Sequence, residues 1–393
     1  MIELQLPSFG ADMDDAEFVQ WNVQAGQAVK KGDIACVVET QKGAIDVEVW
    51  QDGTVARLLA EPGQRLPVGQ VLALLAAEGE DWQAVAAQAM PAAAPAAQPA
   101  PAAETPAETS LVAAAASAPA AATPGARISP AARKRAAELG VDLPALVAAA
   151  GGAAVSLADV ERAAARAAPP SPADNMRAAI AAAMARSKRE IPHYYLGCEI
   201  EVEPALRWLE AFNAARPVAE RVLFAALALR AIGLALRESP QLNGRFADGR
   251  FQPADAVHLG VVTSLREGGL VVPTVHDADR TPLPELMREL GEALQRARKG
   301  QLRSSDLADS TVTVTNLGDL GTDTVYGVIY PPQVALVGLG RVLPRPVVRD
   351  GQVLAARTVH ATLAADHRAS DGLVGARFLA ALQQRFAQPE SLA

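Results

Sequence analysis

The N-terminal eighty residues contain short runs in which apolar and polar positions alternate. In the clearest run, residues 45–50, every second residue is a β-branched aliphatic, and a second β-rich run covers residues 34–38. Strict alternation is typical of a strand with one buried face. The two runs therefore predict a tight hairpin with Lys42 at or beside its tip.

The same segment contains an internal repeat. The pattern of residues 26–34, in which two glycine turns flank a strand-like run, recurs at residues 63–71. Repeated units predict one structure that is built from similar halves. Residues 1–80 are therefore expected to form a small all-β sandwich with approximate two-fold symmetry, which exposes the hairpin of Lys42.

The alternation then disappears. Residues 81–126 consist mainly of Ala and Pro, with scattered polar residues. Proline spaced through alanine suppresses helix and favours extended chain, and such a composition cannot bury a core. We therefore expect a flexible linker from residue 81 to residue 126, and a second, shorter Pro-rich linker at residues 167–174.

A short helical domain is predicted between the two linkers, at residues 127–166. Ser129 is suited to cap a helix whose C-terminal residue in the left-handed conformation would be Gly140. A second helix begins at Ser156, and Asp159 completes its capping arrangement. Two short helices are expected to make a marginal domain.

The C-terminal part, residues 175–393, mixes helical and strand patterns. Long apolar faces at helical spacing predict helices at residues 218–239 and 283–302. β-rich runs predict strands at residues 256–262, 311–315, 334–339 and 358–365. This combination predicts an α/β sandwich.

Composition narrows the classes of function. The chain has 393 residues, half of them hydrophobic, and a formal net charge of -8, without a basic stripe for nucleic acid. Two cysteines, Cys36 and Cys198, are too few for a disulfide framework and favour a cytoplasmic protein. We expect no leader peptide, because residues 1–10 run directly into a strand pattern, and no membrane span, because Pro and polar residues interrupt the Ala-rich runs.

One motif near the C-terminus points to chemistry. Residues 366–372 read Asp-His-Arg-Ala-Ser-Asp-Gly, which places His367 four residues before Asp371. Together with a lysine presented on a hairpin for covalent modification, the motif suggests that one domain carries an acyl group and another transfers it. The other histidines have no second ligand type at metal spacing, so no metal site is predicted.

These segments, in this order, resemble the dihydrolipoamide acyltransferase core subunits of 2-oxo acid dehydrogenase complexes. The resemblance implies a lipoyl domain, a helical peripheral-subunit-binding domain and an α/β catalytic domain like that of chloramphenicol acetyltransferase. Further supporting segments are residues 191–193, 240–243, 268–273, 314–318 and 331–335. The resemblance also implies lipoate on Lys42, coenzyme A as substrate, and trimers in which His367 of one subunit faces Thr315 of the next.

The resemblance assigns roles to residues of the catalytic domain. His367 would be the general base that deprotonates the attacking thiol, since neutral imidazole is a suitable base at pH 7. Thr315, which precedes Asn316, would donate to the oxyanion of the tetrahedral intermediate. For Asp371 we favour a structural role, as a helix cap or as the partner of an arginine, over a direct relay to His367.

The chain departs from the family pattern in three places. Gln41 precedes Lys42, where the family commonly has Asp. The glycine-rich loop at residues 151–155 lacks the usual arginine, which leaves the basic residues of the first helix to meet an acidic surface of dihydrolipoamide dehydrogenase. Those basic residues are Arg133, Lys134 and Arg135. Ala369 and Ser370 replace bulkier apolar residues.

Three alternatives remain open from the sequence. The chain could be a non-catalytic, lipoyl-bearing scaffold that recruits partners such as the 2-oxo acid decarboxylase component, although such proteins commonly lack the histidine. It could instead be a free-standing acetyltransferase acting on a hydroxyl acceptor, which leaves the N-terminal domain unexplained. Biotin on Lys42 is the competing modification, but biotin carriers flank the lysine with methionine.

Overall fold

The computed structural model describes residues 1–9, 13, 15–40, 43–87, 128–149, 154–167, 172–264 and 270–393. By their internal contacts these residues divide into two units, Met1–Gln88 with Pro172–Ala393, and Ala89–Ser171. None of the helices in this described part of the chain combines the length and apolar character needed to cross a membrane.

The N-terminal segment is a β-sandwich that contributes four strands to each of two sheets. One sheet has the order β1-β8-β6-β3, and in the other the four strands of this segment have the order β5-β4-β2-β7. The strands are β1 (Ile2–Gln5), β2 (Asp15–Trp21), β3 (Ala28–Val29), β4 (Ile34–Thr40), β5 (Gly43–Glu48), β6 (Gly53–Leu58), β7 (Arg65–Pro67) and β8 (Val71–Ala76). The all-β sandwich predicted for residues 1–80 is thus confirmed.

The repeat has a structural counterpart. Gly26 and Gly63, which occupy equivalent positions, have φ of 84° and 83°. Each is the third residue of a four-residue turn, closed by Gln27 donating to Gln24 and by Gln64 donating to Glu61. A side chain would be strained there, because this conformation is costly for residues with a Cβ. The N–H of Gly26 donates to Val55 and that of Gly63 to Phe18, so equivalent turns join equivalent strands of the two halves.

The predicted linker begins later than residue 81. Helix α1 (Trp82–Ala87) packs on the sandwich, where Val85 is buried and the indole of Trp82 lies against Gly26. The apolar residues of α1 pack on the surface of the sandwich, and this contact cannot be predicted from composition. The remainder of the linker, residues 88–126, lies outside the described residues.

The second unit contains three described helices, α2 (Pro130–Leu139), α3 (Leu143–Ala149) and α4 (Leu157–Ala167). The caps are as predicted: Ser129 Oγ accepts from the N–H of Ala132 at 3.1 Å, and Gly140 is left-handed with φ of 66°. Ser156 and Asp159 bond reciprocally. Helix α3 was not predicted because its apolar run is short, although a local cap is present: Asp142 Oδ1 accepts from the N–H of Ala145 at 3.2 Å.

The C-terminal part is an α/β sandwich, as predicted. Its helices are α5 (Pro172–Glu190), α6 (Glu203–Ala214), α7 (Phe224–Arg237), α8 (Leu283–Lys299), α9 (Ser304–Leu307) and α10 (Gly372–Ala387). Its strands are β9 (His193–Glu201), β10 (Gly244–Ala247), β11 (Arg250–Pro253), β12 (Leu259–Val261), β13 (Thr263–Ser264), β14 (Leu270–Val271), β15 (Thr274–Val275), β16 (Leu302–Arg303), β17 (Val312–Asn316), β18 (Ala335–Leu339), β19 (Leu343–Arg349) and β20 (Gln352–Asp366). Short 3-10 helices lie at Val218–Glu220, Pro240–Leu242, Gly318–Leu320 and Pro389–Leu392.

A seven-stranded sheet organises this part. Its order is β15-β12-β17-β18-β20-β19, and β9 also pairs with β20. One core cluster combines buried residues of this sheet with those of α7, α8 and α10. Three helices have other boundaries than predicted. α5 begins at Pro172, inside the expected second linker, and α8 stops before the left-handed Gly300. The helix predicted at residues 218–239 is α7, Phe224–Arg237, preceded by a separate 3-10 helix at Val218–Glu220.

Candidate functional site

The loop that carries His367 is held by an ion pair of its two neighbours. Asp366, at the end of β20, is fully buried, and its carboxylate accepts from Arg368 Nε at 3.0 Å and Nη2 at 2.7 Å. The Arg368 guanidinium also lies 4.0 Å from the ring centre of Phe246. The bond to Asp366 raises the pKa of Arg368. A buried carboxylate requires such partners, so this pair fixes the turn at His367.

His367 itself is exposed and braced on one side. Its backbone N–H donates to the carbonyl of Pro192 at 3.0 Å. The ring of Tyr194 meets the imidazole edge to face, with centroids 5.4 Å apart. The hydroxyl of Tyr194 shares a 2.9 Å hydrogen bond with Ser370, which belongs to the same loop, and burial raises the pKa of Tyr194. The imidazole is therefore presented to solvent from a defined orientation.

His193 is a structural histidine next to this loop. Its Nδ1 lies 2.9 Å from the carbonyl of Ile191, and its Nε2 accepts from the N–H of Ile329 at 3.2 Å. Burial lowers the pKa of His193, and the positive charge of Lys188 acts in the same direction. A neutral ring that donates at Nδ1 and accepts at Nε2 satisfies both contacts.

Asp371 caps a helix. It is the N-cap of α10, and its Oδ1 accepts from the N–H groups of Leu373 at 2.9 Å and Val374 at 3.0 Å. The favoured cap interpretation is confirmed in geometry. In the part of the chain that the structure describes, no ion pair joins Asp371 to an arginine, and the arginine of the motif, Arg368, pairs with Asp366 instead.

Thr315 lies in the sheet whose strand β20 leads into His367, but far from the end of that strand. It is buried in β17 and pairs with Gly338, which pairs in turn with Thr362 on β20. Asp366 is four residues further, about 13 Å along the strand, and two strand spacings add about 10 Å sideways. One chain thus does not bring Thr315 and His367 together. Asn316 Oδ1 accepts from the N–H of Gly318 at 2.9 Å and so shapes the turn after β17.

Lys42 lies outside the described residues, but the strands on either side of it are described. β4 and β5 pair up to Thr40 and Gly43, and Thr40 Oγ1 donates to the carbonyl of Gly43 at 3.0 Å. The chain therefore connects the two strands through Gln41 and Lys42 alone. A primary amine in this short connection fits a group that is attached through an amide bond.

The predicted partner-binding residues lie on α2. Arg133, Lys134 and Arg135 are all exposed. Arg135 pairs with Glu138 at 2.9 Å, and Glu161 lies 3.7 Å from it. Arg133 and Lys134 line a shallow groove with apolar residues, which gives α2 a basic face. The glycine-rich loop is described only from Ala154 onward.

Four residues that brace the site were assigned no role from the sequence. These are Tyr194, Asp366, Arg368 and Ser370. The sequence does contain a signal for the ion pair: Asp366 and Arg368 have opposite charges and lie two residues apart, and residues two apart on an extended chain share a face. The contact of Tyr194 is long-range and left no sequence signal. Among the described residues, no three His, Cys, Asp or Glu side chains are grouped to hold a metal ion.

Comparison with known proteins gives consistent results for both parts of the chain. Residues 167–393 match the family of 2-oxoacid dehydrogenases acyltransferase (catalytic domain). Residues 2–75 match the biotin/lipoyl family, described as biotin-requiring enzyme. A crystal structure of a probable dihydrolipoamide acetyltransferase from Listeria monocytogenes superimposes with a TM-score of 0.52 at 28% identity, covering 56% of this chain and 95% of that one.

Two curated relatives match over nearly their whole length. The dihydrolipoyllysine-residue acetyltransferase component of the pyruvate dehydrogenase complex from Rhizobium meliloti is 30% identical over 99% of this chain and 98% of its own. The lipoamide acyltransferase component of the branched-chain alpha-keto acid dehydrogenase complex from Bacillus subtilis is 29% identical over 97% and 96%. The catalytic match covers more than half of the chain and agrees with the fold and the motif, so this protein belongs to the 2-oxoacid dehydrogenase acyltransferase family.

Proposed function

We propose that this protein transfers an acyl group from a lipoyl group on Lys42 to coenzyme A within a 2-oxo acid dehydrogenase complex. The observation that carries the proposal is the combination, in one chain, of a biotin/lipoyl-type sandwich with a lysine hairpin and an acyltransferase domain that presents His367. A lipoyl group on Lys42 would supply a thiol that carries the acyl group as a thioester. The proposal covers acyl transfer in general, since relatives of similar identity are named for acetyl and for branched-chain substrates.

His367 is the proposed general base. Its imidazole takes the proton of the coenzyme A thiol as the sulfur attacks the acyl carbonyl, and it returns a proton to the thiol that leaves. Bases of this kind contribute about 10²- to 10⁴-fold to a rate. Its exposure in one chain leaves the ring accessible to a substrate. The contacts of Tyr194 and Asp366 hold the loop, so they act as positioning residues.

Thr315 is the proposed oxyanion donor, with Asn316 shaping the turn that follows it. In the described residues, the Thr315 hydroxyl has no hydrogen-bond partner. Because His367 of the same chain is distant, we propose that each site forms between subunits of a trimer, with His367 from one and Thr315 from the next. Closed rings of this kind arise when one surface of a subunit meets a different surface of its neighbour.

The proposed partners are the other enzymes of such a complex. The linker would let the sandwich visit a 2-oxo acid decarboxylase and return, since tethering raises the effective concentration of the carried group. The basic face of α2, with Arg133 and Lys134, is the proposed contact for dihydrolipoamide dehydrogenase. Cys36 and Cys198 are both free, which suits the proposed cytoplasmic location.

The test uses the purified full chain. Mass spectrometry is expected to find the mass of a lipoyl group on Lys42, and a biotin mass there would contradict the proposal. Transfer from acyl-coenzyme A to free dihydrolipoamide is then followed as new thioester. His367→Ala is expected to lower kcat about 10²- to 10⁴-fold, because the general base is lost.

His258→Ala is the matched control, since it removes another imidazole of the same domain, and it is expected to retain the rate. Equal transfer rates for the chain without a substitution and for His367→Ala would contradict the enzymatic proposal. A lipoylated chain without any transfer activity would instead support the non-catalytic scaffold.

A further inference from the structure

A short strand of the catalytic domain extends one sheet of the N-terminal sandwich. β16 runs parallel to β5, with Leu302 opposite Ile45 and Arg303 opposite Asp46. Without β16, β5 would be an edge strand of its sheet. A free edge exposes unpaired N–H and C=O groups, and adding a strand to such an edge is a recurring mode of recognition.

Glu48, the last residue of β5, is buried in this contact. The alternation of residues 45–50 predicts that it points to solvent, yet it is only 5% exposed. The N–H of Ser305 donates to its Oε2 at 3.1 Å, and Arg303 Nη1 lies 3.6 Å from its Oε1. The backbone N–H of Glu48 donates to Ser304 Oγ at 3.0 Å. A buried carboxylate is costly unless it is paired and hydrogen-bonded, and here the catalytic domain supplies every such partner named.

The catalytic domain holds these groups in place by itself. Arg296 on α8 donates to the buried Asp306 through Nε at 2.8 Å and Nη2 at 2.6 Å. The N–H of Arg303 also donates to Asp306, at 3.0 Å. The bidentate pair between Arg296 and Asp306 holds the turn that contacts Glu48, and it uses no atom of the sandwich. The turn is therefore preorganised to bind the Glu48 carboxylate.

An apolar contact accompanies the polar one. Leu307 packs against the sandwich core that contains Phe18 and Ile45. It also packs against a cluster of its own domain, Val271, Ala297 and Leu302. The surface therefore matches the sandwich in three independent ways: backbone pairing, a buried charge and an apolar side chain.

We propose that residues 302–307 are a docking surface for the biotin/lipoyl-type domain of the same chain, recognised through β5 and Glu48. The inference rests on the proposed function, in which this domain must return to the catalytic domain. Only two residues of β16 pair with β5. So small a contact suits a reversible dock that holds the tethered domain near the catalytic domain between visits to other enzymes.

Disulfide trapping in the full chain tests the dock. Neighbouring strands lie about 4.8 Å apart, within the Cα separation that a disulfide spans, so Asp46→Cys with Arg303→Cys is expected to cross-link on mild oxidation. The product expected is a single chain of unchanged mass that migrates faster without reductant. Burial raises the pKa of Cys36 to about 12 and also raises that of Cys198, so the native thiols react slowly.

Two comparisons make the test specific. Lys30→Cys with Arg303→Cys places one thiol beside the other sheet of the sandwich and is expected to cross-link at least 10-fold more slowly.

Adding Glu48→Ala to the Asp46 pair is expected to slow cross-linking about 10-fold, because hydrogen bonds to a charged group are lost. Glu61→Ala, which removes an exposed glutamate of the same domain, is the matched control and is expected to leave the rate unchanged. Ser304→Ala, on the other side of the contact, is expected to act in the same direction as Glu48→Ala.

The outcomes separate this proposal from the proposed function. Equal cross-linking of the two cysteine pairs, or no effect of both Glu48→Ala and Ser304→Ala, would overturn the dock. Covalent dimers in place of the single-chain product would assign the surface to the domain of a second copy and overturn the same-chain proposal. Transfer to free dihydrolipoamide by the unmutated chain does not involve the cross-link, so a failure of that reaction contradicts the proposed function alone.

Discussion

At the scale of single residues, His193 links the site to pH. Burial lowers its folded pKa below the unfolded value of about 6.5. The unfolded chain therefore binds more protons in the window below that value, and the contribution of His193 to stability is complete above it and lost as pH falls. We expect the urea concentration at the unfolding midpoint of the catalytic domain to decrease when the pH is lowered from 7.5 to 5.5. In His193→Gln we expect this decrease to be smaller.

The control for this prediction is His276→Gln. Burial and the neighbouring His258 also lower the pKa of His276, so it contributes in the same direction from another part of the domain. Each variant is expected to remove only its own share of the pH dependence. If the midpoint of His193→Gln changed with pH as much as that of the unmodified chain, its contacts with Ile191 and Ile329 would not be those of a neutral ring.

At the scale of elements, Asp371 distinguishes a helix cap from a catalytic relay. Asparagine caps a helix as well as aspartate does. Asp371→Asn is therefore expected to leave both the thermal stability and kcat close to those of the chain without a substitution. Asp371→Ala is expected to cost about 1 kcal/mol of stability, because two N–H groups of α10 lose their acceptor. Kinetics of transfer to free dihydrolipoamide, with thermal unfolding, check both. A fall in kcat of about 10⁴-fold in Asp371→Asn would identify a relay instead.

At the scale of the whole molecule, the separation of Thr315 from His367 predicts complementation. His367→Ala and Thr315→Val are each expected to be nearly inactive, Thr315→Val because one oxyanion donor is worth about 10²- to 10³-fold. Trimers assembled from an equal mixture would restore an intact site at about a quarter of the positions, where each subunit supplies the residue that the other lacks.

The measurement is activity after co-expression, compared with the two variants purified separately and mixed without exchange of subunits. Thr315→Ser, which keeps the hydroxyl, is the control for the second variant and is expected to stay active. No recovery in mixed assemblies of confirmed composition would contradict a site shared between subunits.

Much of this protein follows from local patterns. The alternation at residues 45–50, together with the β-rich run at residues 34–38, is enough to predict the hairpin, because a strand with one buried face has that period. The caps of α2 and α4 follow from Ser129 and Ser156 for a similarly local reason. The later start of the linker was not predictable in this way, because the apolar residues of α1 are stabilised by packing on distant strands of the sandwich. Helix α3 was missed because its apolar run is short, although Asp142 caps it.

By itself the sequence determined the internal repeat of the sandwich, which is visible as a repeated pattern, and the cap made by Asp371, which depends on residues close to it in the chain. The catalytic roles of His367 and Thr315 stay predictions. Only the tertiary structure decided what lies beside them. It buried Glu48 against a strand of the catalytic domain, paired Arg368 with Asp366 rather than with Asp371, and separated Thr315 in β17 from His367 in the turn after β20. These outcomes depend on strand register and on contacts between distant segments, and neither is encoded in a local period.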